Sequence, residues 1–380
     1  MPQPRARILE LDILRAVAII IVIFGHFGYF LPTVKFSIDF GDIITSYGVA
    51  LFLFISGFVL HLNHPSFTQH NSLTDFYKKR VLRIFPLYWL AIVLTYIVEG
   101  LRFPSPINAF VTVFGLQGFL APRFGYLPWW FIGVLIVLYV LFPLITTLGS
   151  VTLSFPAPME SNMLKFAIML VVPLLILYAA YTRLFLISSQ VFEFYGIFVL
   201  GVAISKYDVL GKYGFLTDNR MRLLKHIVVT AVFFAAALWI YYLQTLPAYL
   251  VRYRTIIQFA LLQNALFLLF VLLAFCLARI IVASSSKASP PLSQALWFRA
   301  LLLISFSSYA IYLFFGPILT PLMLALIGTQ LTGFEIDVIQ IFVGLPIVVL
   351  VAYLLQKTQN EIESKFKKYR TASAAPADDT

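Results

Sequence analysis

The chain has 380 residues, of which 61% are hydrophobic and only 11% charged, with a mean hydropathy of +0.94. These values exclude an ordinary soluble domain. Continuous apolar runs in place of period-two alternation also argue against a β-barrel. The net charge of +11 would point to nucleic acid in a soluble protein; in so apolar a chain it points to loops facing anionic lipid, and no nucleic-acid partner is expected. The one cysteine, Cys276, lies in an apolar run, so no intramolecular disulfide can form.

Ten segments are long and apolar enough to cross a bilayer: 12–31, 43–62, 82–99, 128–149, 165–182, 188–205, 226–246, 256–279, 301–327 and 335–356. The first has no small-residue cleavage site after it and reads as an uncleaved span, not a signal peptide. An eleventh apolar stretch, 107–121, is short and broken by Gly115, Gln117 and Gly118; it is expected to be re-entrant or interfacial. With the N-terminus inside, six basic residues fall in outer loops (Lys35, Arg102, Arg123, Arg183, Arg252, Arg254) and Arg15 in the first span, leaving 20 of the 27 Lys and Arg on the inner side. That asymmetry follows the positive-inside rule. The expectation is therefore an all-α polytopic protein of about ten transmembrane helices with both termini cytoplasmic. It sits as a multi-pass protein in the cell (inner or plasma) membrane. One membrane domain covers 1–356, and 357–380 is a tail that begins basic and ends disordered.

The first segment, LDILRAVAIIIVIFGHFGYF, holds Arg15 near its start and His26 deep inside. Eleven residues are about three helical turns, so both side chains project from one face. Ionisable groups at membrane depth are costly and mark functional interiors. His26 is the candidate base: burial favours the neutral imidazole that accepts a proton from an alcohol. Arg15, with Asp12 three residues before it, is placed at the inner side, and both are expected to face a common cavity. In the inner loop before the third span, DFYKKRVLRIFPLYWL places Arg80 and Arg83 three apart on one helical face. Paired guanidiniums there suit phosphate groups.

Four elements in order resemble the acyltransferase-3 family of integral-membrane O-acyltransferases: LDILRAVAIIIVIFGH; GVALFLFISGFVL with Ser56, Gly57 and Phe58; RVLRIFPLYWL; and SYAIYLFFGPIL around Ser308, Tyr309 and Tyr312. They run from about residue 9 to 350. The resemblance implies transfer of an acyl group from cytoplasmic acyl-CoA to a hydroxyl, commonly on a sugar, at the outer side. It assigns His26 to transfer and Arg15, Arg80 and Arg83 to the CoA side. No tightly bound cofactor is implied; acyl-CoA, with acetyl-CoA favoured, is the donor substrate.

Two positions depart from the family pattern. Many members carry an acidic residue where Leu135 and Ile136 stand, although Trp130, Tyr139 and Pro143 keep their spacing, and a histidine is common where Phe315 stands. Both losses remove acid/base partners. Glu193 is a candidate to orient His26 or bind an acceptor hydroxyl, while Gln263 and Asn264 suit interhelical hydrogen bonding equally well. Ser56, Trp130, Glu193, Tyr309 and Tyr312 are the candidate cavity-lining residues. His61 and His64 are read as interfacial; no metal site is expected, for lack of Asp, Glu or Cys at ligand spacing. Gly57 beside Ser56 points to close helix packing.

The reading from sequence is thus a membrane acyltransferase, acyl-CoA dependent, that acetylates or succinylates a cell-surface glycan or a lipid-linked sugar. The alternative is a glycan or lipid transporter with Arg15 and His26 in its pathway. A degenerate or regulatory homologue is a third, given Leu135, Ile136 and Phe315.

Overall fold

A computed structural model describes residues 8–35, 38–67, 70–98, 100, 103, 105–124, 129–150, 162–184, 187–245, 256–285 and 295–373. Among these the chain forms helices and no strand. The reason is general. Apolar runs placed in hydrocarbon have no water to pair with their peptide groups, so each segment bonds to itself. The helices are α1 (Leu9–Gly25), α2 (Phe27–Phe30), α3 (Ile38–Asn63), α4 (His70–Val98), α5 (Pro106–Val113), α6 (Gln117–Phe124), α7 (Trp130–Leu148) and α8 (Asn162–Ala179). They continue with α9 (Ser189–Lys206), α10 (Val209–Lys212), α11 (Arg220–Thr245), α12 (Ile256–Ser285), α13 (Leu296–Ile327), α14 (Gly333–Ile339) and α15 (Leu345–Ser373).

Among the described residues eight helices are long and apolar enough to cross a membrane: those of α3, α4, α7, α8, α11, α12 and α13, and the run from α14 into α15. Eight of the ten expected spans coincide with these helices. The segments expected at 12–31 and 188–205 form α1, of 17 residues, and α9, of 18. The first is not one helix. It stops at Gly25, and His26 caps it with φ −93° and ψ 1° before the single turn of α2. Gly25 abuts α3 so closely that a Cβ there would lie 2.8 Å from the Gly41 carbonyl oxygen.

The stretch 107–121 is two eight-residue helices, α5 and α6, joined through Gly115 at φ +65°. Each is about 12 Å long and too short to cross alone. Tyr88 of α4 donates to the Thr112 carbonyl, and Gln117 donates to Tyr88. Beyond 356, α15 runs on to Ser373, and 374–380 lie outside the described residues.

The centre of the bundle is α3, packed against α1, α9 and α12. Contact with α9 is backbone to backbone. A Cβ on Gly57 would sit 2.2 Å from the Phe198 carbonyl oxygen, and one on Gly201 would sit 2.3 Å from that of Phe54. Two glycines therefore set the α3–α9 distance, as small residues do in membrane bundles. The start of α1 is held by Arg279 of α12, which donates to Glu10 at 2.6 Å, to Asp218 at 2.7 Å and to the Leu216 carbonyl at 3.0 Å. Helices α4, α13 and α15, of 29, 32 and 29 residues, pack on one another and overhang a hydrocarbon core of about 30 Å.

Because neither backbone can retreat, Gly57→Leu is expected to destabilise the folded protein by about 3 kcal/mol, the upper end for overpacking. Thermal unfolding in detergent reads this out. A melting temperature equal to wild type would show that the α3–α9 contact is not fixed by these glycines.

Candidate active site

Two cavities penetrate the bundle. The first, of about 470 Å³, is bordered by Asp12 and Arg15 of α1, Ser56 of α3, Arg80 and Arg83 of α4, Tyr139 of α7, Tyr309 and Tyr312 of α13, and Asn360 and Glu363 of α15. The second, of about 500 Å³, is bordered by His26, by Asp42, Thr45 and Ser46 of α3, by Trp130, by Gln190 and Glu193 of α9, and by Thr320 of α13. Arg15 and His26 therefore do not share one cavity, which corrects the expectation drawn from their common face. Between them on α1 stand Ile19 and Val22, both fully buried, with Val22 beside Gly48 of α3. Arg15 and His26 are about 16 Å apart along the axis.

Helix direction explains the sorting. The first cavity takes early residues of α1, α4 and α13, late residues of α3 and α15, and Phe131, Leu135 and Tyr139 of α7. The second takes late residues of α1 and α13 but early ones of α3, α7 and α9. Antiparallel neighbours thus bring the basic ends together at one depth and the His26 layer together at another.

The first cavity is shaped by a proline. Pro86 lies inside α4 and has no N–H, so the carbonyl of Leu82, four residues earlier, lacks its helical donor, and the ring disturbs the adjoining turn. Gln359 of α15 donates to Leu82 at 3.0 Å and to the Arg83 carbonyl at 2.8 Å, while Tyr309 donates to the Ile84 carbonyl at 2.7 Å. Three successive carbonyls of α4 are therefore pinned by α13 and α15, which fixes where Arg80 and Arg83 stand. The Arg80 guanidinium lies 5.4 Å from the Phe76 ring centroid and 5.9 Å from that of Tyr139. Its Nε is buried with no hydrogen-bond partner among the described residues. Arg83 is exposed at the mouth, and Arg15 approaches Asp12 at 3.5 Å.

In the second cavity, His26 Nδ1 is 2.7 Å from the Val22 carbonyl oxygen, with Thr45 Oγ1 3.5 Å from the same nitrogen. A carbonyl oxygen only accepts, so Nδ1 carries the proton and, in the neutral ring, Nε2 carries the lone pair. The ring is wedged edge-on against Phe315 at 5.2 Å, with Tyr29 5.9 Å away. Phe315, where the family commonly has a histidine, is thus a direct neighbour of His26. Glu193 accepts from Gln263. Asn264 donates to the Glu193 carbonyl at 2.8 Å and accepts from the Ile197 N–H at 2.5 Å. It thereby bonds both groups that one turn of α9 would pair with each other, in the space left by Gly196. Trp130 stacks on Phe194 at 5.7 Å.

The candidate lining residues therefore divide. Ser56, Tyr309 and Tyr312 stand with Arg15, Arg80 and Arg83; Trp130 and Glu193 stand with His26. Leu135 borders the first cavity, whereas the Ile136 side chain packs over Gly115, so no carboxylate enters from that turn of α7. His61 is buried near the end of α3, its Nδ1 3.1 Å from Ser205 Oγ. Sequence reasoning missed Asp42, Thr45, Ser46 and Gln190 in one cavity and Gln356, Asn360 and Glu363 in the other. Their spacings of three and four were the available signal.

A bundle of apolar helices that gathers guanidiniums at one depth and an imidazole at another fits an integral-membrane protein. Comparison with protein families narrows this. A family described as an acyltransferase domain matches residues 8–357, and the chain belongs to that acyltransferase-3 family. Neither the curated proteins nor the solved structures yield a significant match. The protein is accordingly a membrane acyltransferase by family.

The pinning of α4 can be checked directly. Gln359→Leu leaves the Leu82 and Arg83 carbonyls without their donor, at an expected cost of about 1–3 kcal/mol. A lowered melting temperature in detergent, partly recovered in Gln359→Asn, is the expected result.

Proposed function

We propose that this protein moves an acetyl or succinyl group from acyl-CoA, taken up from the cytoplasmic side, to a hydroxyl of a cell-surface glycan or a lipid-linked sugar. The observation that carries this reading is the Val22 bond to His26 Nδ1. It presets the tautomer whose Nε2 accepts a proton, within a cavity whose carboxylates, hydroxyls and Gln190 side chain suit a sugar. The other cavity supports the donor half. Arg80 and Arg83 bind the CoA phosphates, Arg83 at the mouth and Arg80 deeper, with an unsatisfied Nε; Arg15 lines the way to the thioester.

In this scheme the acceptor hydroxyl oxygen attacks the thioester carbonyl carbon while its proton passes to His26 Nε2. The carbon–sulfur bond then breaks, and the thiolate leaves with the proton the imidazole has gained. Glu193 and Asp42 hold acceptor hydroxyls in place. Phe315 occupies the position from which a second histidine would act, so His26 serves as both base and acid.

With purified protein, labelled acetyl-CoA and a glycan acceptor, His26→Ala is expected to lower kcat by about 10²–10⁴-fold, the usual contribution of a general base. Arg80→Ala with Arg83→Ala is expected to raise KM for the donor while His26-dependent turnover persists. If a glycan instead crosses proteoliposomes unmodified, and His26→Ala only slows its passage, transport is the correct reading.

A further inference from the structure

The face of α13 that touches both cavities carries Ser305, Tyr309, Tyr312, Gly316 and Thr320, spaced by four, three, four and four. The first three border the arginine cavity and Thr320 borders the His26 cavity. Gly316 falls between, about 6 Å along the axis from each flanking residue. A Cβ built on Gly316 meets no atom within 4 Å.

Close packing against another helix does not require this glycine, although Pro317, which follows it inside α13, disfavours a Cβ in the helical conformation. At Gly57, Gly118 and Gly201 a Cβ would lie 2.2 to 2.4 Å from a neighbouring backbone atom, so close packing demands glycine there; at Gly316 nothing is packed. Its φ is not in the left-handed region, because α13 runs through it. A glycine inside a helix costs about 1 kcal/mol against alanine. What Gly316 supplies is the space beside it. On α1, Ile19 and Val22 between the two cavities are fully buried, and Phe315 lies edge-on to His26.

We infer that Gly316 forms the aperture joining the two cavities, and that its missing side chain sets the size of acyl group that reaches His26. The inference rests on the donor and acceptor assignment above. A thioester anchored by its phosphates at Arg80 and Arg83 passes Tyr312 and then Gly316 before its carbonyl carbon meets Nε2. Small unbranched acyl groups pass; bulky ones do not.

The test uses the full chain in detergent or nanodiscs, with acetyl-CoA and butyryl-CoA as donors and CoA binding measured separately. Both variants add the Cβ that Pro317 disfavours in a helix, so Gly316→Ala and Gly316→Leu are expected to lower the melting temperature to the same extent and to elute as wild type does. CoA affinity should stay within twofold of wild type. Gly316→Leu should lower acyl transfer by at least about 100-fold, as expected when reacting groups are kept from alignment. Gly316→Ala should lower the butyryl-to-acetyl rate ratio by about tenfold, the scale of a methylene-sized steric difference. Transfer by Gly316→Leu at the wild-type rate overturns the inference and leaves the acyltransferase assignment standing. Should Gly316→Leu fail to fold, an unchanged butyryl-to-acetyl ratio in Gly316→Ala overturns it equally. If wild type itself transfers nothing from either donor, the donor assignment fails first and the aperture with it.

Discussion

In a water-free interior every peptide carbonyl and amide needs a partner within the protein, and this requirement organises the molecule. Helices meet most of it, but α4 contains Pro86 and the α9 ladder is entered at Gly196, and at both places a side chain from another helix takes over. Gln359 and Tyr309 supply donors to the carbonyls of Leu82, Arg83 and Ile84. Asn264 bonds Glu193 and Ile197 of α9. These polar residues serve the backbone. The polar groups that border cavities instead, Arg80 and His26 above all, are the ones available for chemistry.

The same repairs position the site. Since Gln359 and Tyr309 tie α15 and α13 to the turn of α4 that follows Arg80, the arginine cavity is held by three helices far apart in sequence. His26 is placed differently. The end of α1 lies against α3 through Gly25 and Gly41, and the Val22 carbonyl accepts a hydrogen bond from His26 Nδ1. One half of the site is set by side chains repairing a helix, the other by a helix end. About 16 Å separates the two along α1.

Much of this was legible in the chain itself. Apolar runs located each long helix. The broken stretch at 107–121 became two short helices because Gly115 takes a positive φ that a continuous span would not allow. The contacts between cavities were not legible. The regular face of α1 suggested one shared chamber for Arg15 and His26, yet the two border different cavities. Residues 357–373, read as tail from their charge, continue α15, because a helix packed on α4 and α13 has no reason to end at the membrane surface. Asn360 and Glu363 were overlooked for that reason, and Asp42, Thr45 and Ser46 because short polar side chains near a helix start resemble interfacial residues.

By itself the sequence determined the class of protein, the helices and the ionisable groups within them, since hydropathy and the spacing of side chains are properties of single segments. The tertiary structure alone decided that the arginines and the histidine occupy separate chambers, that Phe315 lies against the imidazole, and that Gly316 stands beside open space. Each of these depends on which faces of remote helices meet, and those meetings follow from glycine contacts and repaired carbonyls that no single segment contains.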